Sequence, residues 1–96
     1  KVVEQIEAKN GWRYLTPEWK ENLIADLASG EKGHFGDFSD EDREKAIIKV
    51  LKTCRSKVEF ATIINKLKKR IPSIHLNAVL DGSELEQYNA LEKLNS

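Results

Sequence analysis

Apolar residues return at helical spacing along most of the chain, and capping residues separate the runs. Thr16-Pro17-Glu18 predicts a helix start, since Thr16 can cap and Pro17 at the first helical position loses no needed donor. Trp19, Leu23, Ile24 and Leu27 then form one stripe that ends at Ser29-Gly30. Glu31 to Phe38 reads as a loop around Gly33 and Gly36. Ser39 or Asp40 restarts a helix whose buried face is Ala46, Ile47, Val50, Leu51 and Cys54, with acids gathered at its positive end. Ser56-Lys57-Val58-Glu59 is a capping-box pattern opening a third helix, with Phe60, Ile63, Ile64, Leu67 and Ile71 inward and Pro72 as the stop. Leu76, Val79 and Leu80 predict a short fourth helix ending at Gly82. A second capping box, Ser83 to Glu86, predicts a last helix with Leu85, Tyr88, Leu91 and Leu94 inward. Ahead of these, Val2, Val3 and Ile6 suggest a short leading helix ending near Asn10-Gly11. No segment keeps a period of two, so the expected fold is all-α: a compact array of about five short helices.

Composition narrows the class. The 96 residues suit one helical domain, 1–96, with 40% apolar and 33% charged side chains. Methionine is absent, position 1 included, which points to a domain excised from a longer protein, processed, or given without its start. Cys54 stands alone, so no intrachain disulfide forms, and no Cys/His zinc spacing exists. No run approaches the roughly 20 apolar residues of a transmembrane segment. Sixteen basic residues cancel sixteen acidic ones, but unevenly: residues 1–48 carry a net −4 and residues 49–96 a net +4.

Lys32-Gly33-His34-Phe35-Gly36, Asp40-Glu41, Ala46-Ile47-Ile48-Lys49-Val50-Leu51 and Arg55-Ser56 together resemble an annexin repeat, with Ile63, Ile64 and Leu67 near apolar family positions. The likeness spans residues 17–94. Leu80-Asp81-Gly82-Ser83-Glu84-Leu85 stands about where the family joins its last two helices. The chain departs from the family in an extra residue between the glycines, Asp37 in place of threonine, an insertion before the next helix, and length for one repeat where annexins usually carry four. The resemblance implies calcium-dependent binding to anionic phospholipid, with Gly33 and Gly36 shaping a carbonyl loop, Asp37 adding a ligand and Asp81 or Glu84 as the distal carboxylate. The alternative is that the glycines only shape a loop and the acids only cap helices.

Other chemistry is sparse. Lys66, Lys68, Lys69 and Arg70, with Lys49, Lys52 and Lys57, form a basic run suited to anions, or a solvated helix face whose charge complements the acidic Glu31–Glu44 segment. His34 and His75 are the only histidines; paired, they would suit a small toxin-type nuclease. Cys54 reads as a structural thiol. Trp12 and Trp19 read as core packing, while Tyr14 and Phe38 decide nothing. The expectation is a non-enzymatic interaction or targeting domain with a protein partner, an anionic membrane surface as a second candidate, nucleic acid unproven, and the nuclease as the rival class.

Overall fold

The computed structural model describes residues 15–73 and 75–95. The expectations for Val2, Val3, Ile6, Asn10, Gly11, Trp12 and Tyr14 lie outside them. Five α-helices follow in order: α1 Pro17–Ala28, α2 Asp40–Lys52, α3 Lys57–Arg70, α4 Leu76–Val79 and α5 Gly82–Leu94, with a 3-10 turn at Gly30–Lys32. No strand occurs among the described residues, and none of their helices is long and apolar enough to cross a membrane. The all-α, five-helix expectation holds.

The helix starts follow the capping chemistry closely. Thr16 Oγ1 accepts from Trp19 N at 3.2 Å, Ser39 Oγ from Asp42 N at 3.1 Å, and Ser56 Oγ from Glu59 N at 3.1 Å. The reciprocal half of the box at Ser56 is missing, because the Glu59 carboxylate accepts from Arg55 N and Lys20 instead. At the last helix the expected start is wrong. Gly82, at φ +52°, opens α5 rather than ending α4, and Ser83 Oγ accepts from the Gln87 side chain.

The helix α1 packs on α2 and α3, α2 on α5, and α4 on α5. Ile24, Leu27, Ile47, Val50, Leu51 and Ile63 are almost wholly enclosed. Two apolar residues leave their expected places. Leu94 is 69% exposed, since the core ends near Leu91, and Trp19 is 45% exposed. Lys20, one position on, lies on the true inward face with Leu23, Ile24 and Leu27 and is fully buried. A buried lysine needs a partner. Its Nζ meets Glu59 Oε1 at 2.6 Å and donates to Thr53 O at 3.2 Å. Burial pushes the Glu59 carboxyl up, but the hydrogen bond and charge of Lys20, with Arg55, outweigh it and hold the group below its usual range.

An aromatic hollow between the first helix and the glycine loop

Trp19, turned out of the core, lines an apolar recess at the surface. The recess is an open hollow of about 540 Å³ between α1 and the loop before α2. Trp19 and Leu23 line it from α1, Phe35 and Phe38 from the loop, and Asn22, Asp26, His34 and Asp37 surround them. The Phe35 and Phe38 rings stand edge to face, 5.7 Å between centroids and 68° between planes, so they form two nearly perpendicular walls.

The loop holds this shape through two clamps. Asp26 is the first: its Oδ1 accepts from His34 N and its Oδ2 from His34 Nδ1, both at 2.8 Å. An ionised carboxylate only accepts, so Nδ1 carries the proton and Nε2 faces outward on a ring that is 90% exposed. Gly33 allows the approach, because a Cβ there would overlap the Asp26 carbonyl and carboxylate. Arg43 is the second clamp. Buried in the first turns of α2, its guanidinium donates to the carbonyls of Phe35, Gly36 and Phe38 and pairs with Asp40.

That second clamp bears on the calcium site the resemblance implies. The loop carbonyls that would converge on a metal converge on a guanidinium, and a Cβ at Gly36 would overlap the Glu31 carbonyl. Asp37 lines the aromatic hollow. Asp81 and Glu84 gather instead with Glu44, their carboxylate oxygens within 4.8 Å of one another, and Glu44 Oε1 accepts from Asp81 N at 3.0 Å. Burial and the neighbouring acids push the Glu44 carboxyl up, against the Asp81 backbone hydrogen bond. Asp37 thus lines the aromatic hollow, while Asp81 and Glu84 gather with Glu44, and the Gly36 carbonyl serves Arg43.

The basic run is divided. Lys66 Nζ lies 3.7 Å from Glu18, and Arg70 Nε lies 2.9 Å from the buried Glu21 Oε2, off the alignment of a hydrogen bond. Lys69 lines the same groove, whereas Lys68 lies with His75, Asn89 and Glu92 in another recess. His34 and His75 thus line different hollows. Burial pushes the Cys54 thiol up to about 11, Lys20 opposing and Glu59 adding, which keeps it a protonated thiol at neutral pH.

Sequence reasoning missed Asp26, Arg43 and Glu44. The only available signal was Arg43 three residues after Asp40, a spacing that pairs charges on any helix. No family model, curated protein or solved structure matches the chain.

Proposed function

We propose that this chain is a non-enzymatic interaction domain that docks a partner polypeptide in the hollow of Trp19, Leu23, Phe35 and Phe38. The observation that carries the reading is the exposure of Trp19, a ring the sequence pattern assigns to the core, beside a loop that two clamps hold in place. Large aromatic side chains on a fixed recess are what binding hot spots require. The surrounding charge selects the partner. Asp26 and Asp37 lie in the recess, and Glu31, Asp40, Glu41 and Asp42 stand close by in sequence, so a segment with an apolar anchor beside lysine or arginine complements it.

A random-peptide display library panned on the full chain tests this. Enriched sequences should pair an aromatic or aliphatic residue with a basic one. Their binding should fall by about tenfold or more in Trp19→Ala, in line with a hot-spot truncation of roughly 2 kcal/mol, while the melting temperature moves little. Enriched peptides whose binding ignores Trp19 would overturn the proposal.

A further inference from the structure

The hollow has the composition of a cage for an organic cation. Three aromatic rings, Trp19, Phe35 and Phe38, line it, and two of them stand nearly perpendicular. Ring faces attract cations, most strongly where the cation sheds little water to reach them. Of the two acids in the lining, Asp26 is engaged by the loop itself. Both Asp26 oxygens serve His34, so this carboxylate lends a negative field without offering the open pair of oxygens that a guanidinium fork would seek. A weakly hydrated ammonium with apolar substituents suits such a wall better than a bare ammonium, which gives up more hydration.

We infer that the occupant of the hollow is a methylated lysine side chain of the partner polypeptide, its ammonium among Trp19, Phe35 and Phe38 and its stem towards Leu23. This rests on the docking reading above and narrows it. A choline headgroup offers the same cation, but always with a phosphate. Asp26 and Asp37, the acids that line the hollow, disfavour that phosphate, while Lys66, Lys68, Lys69 and Arg70 of α3 line other recesses.

The test is an amide-shift NMR titration of the full chain with four probes. They are N-acetyl-trimethyl-lysine methylamide, its neutral isostere with a tert-butyl end, the unmodified lysine amide, and glycerophosphocholine. The trimethyl-lysine probe should shift the Trp19 indole N–H and the amides of residues 33–38. It should bind about tenfold tighter than the isostere and the unmodified lysine, the margin expected for a partly desolvated cation on aromatic faces. Trp19→Leu keeps apolar area and removes the ring at an exposed position, so it should abolish that margin without unfolding the chain; Phe35→Leu should do the same. Equal binding of the neutral isostere would overturn the cation assignment and leave the docking proposal standing. Tighter binding of glycerophosphocholine would overturn the polypeptide source. Shifts that ignore Trp19→Leu, or none in the hollow, would overturn the inference, whereas the peptide library judges the docking reading separately.

Discussion

Single residues decide which face of α1 turns inward, and Lys20 decides most. A stripe of Trp19, Leu23, Ile24 and Leu27 and one of Lys20, Leu23, Ile24 and Leu27 differ by a small rotation of the helix. Hydrophobicity alone favours the first. The second wins because Glu59 waits on α3 with a carboxylate 2.6 Å from the ammonium, and Thr53 O takes another of its protons. That complement is a long-range fact, which no local pattern contains. Removing one partner strands the other. Glu59→Gln should cost about 3–5 kcal/mol in denaturant unfolding, whereas Lys20→Met with Glu59→Leu should recover most of it. A double variant as unstable as the single one would show that packing, not charge, sets the loss. The pH dependence has a fixed sign. The folded Glu59 carboxyl lies below its ordinary value, so its support is complete above that ordinary value, near 4.5, and is lost as pH falls through the folded one. Glu59→Gln should therefore flatten the acid limb of a stability–pH curve below about pH 5.

At the scale of elements, helix starts were legible because caps are local: Thr16, Ser39 and Ser56 each accept from an amide three residues on. The α4–α5 junction was not. Gly82 after a four-residue helix reads as a stop, yet with φ +52° it opens α5, and Asp81 N is held by Glu44 of α2 rather than by its neighbours. The glycine loop was legible as a loop, but its filling was hidden, because Arg43 sits in a segment that reads simply as a charged first turn. Arg43→Met keeps much of the stem and removes the guanidinium that serves the carbonyls of Phe35, Gly36 and Phe38. Those carbonyls can still reach water, so the loss should be about 2 kcal/mol rather than the sum of three buried orphans. Hydrogen exchange should locate it, with amides of residues 33–38 exchanging faster and those of α3 changing only with global stability. Uniform acceleration through the chain would show that Arg43 supports the whole core and not the loop in particular.

Across the whole molecule, the sequence divides its charge and the fold partly reunites it. The acidic amino-terminal half and the basic carboxy-terminal half meet where α1 packs on α3, with Lys66 beside Glu18 and Arg70 beside Glu21. The run from Lys66 to Arg70 is therefore not a row of four cations facing one way. Lys66, Lys69 and Arg70 share a groove with Glu18 and Glu21, and Lys68 shares another with Glu92. Each of those acids repels an approaching phosphate about as strongly as its basic neighbour attracts it, so few counterions are released on contact. Binding to single-stranded nucleic acid or to phosphatidylserine vesicles should accordingly be weak at about 150 mM salt, where screening beyond roughly 8 Å removes what distant attraction remains. For nucleic acid, the log–log salt slope should be no steeper than about −2, the release expected for two or three phosphates on a single strand. A slope near −3, lost in Lys68→Glu with Lys69→Glu, would show instead that all four cations engage one strand and that the acids of α1 swing aside to allow it.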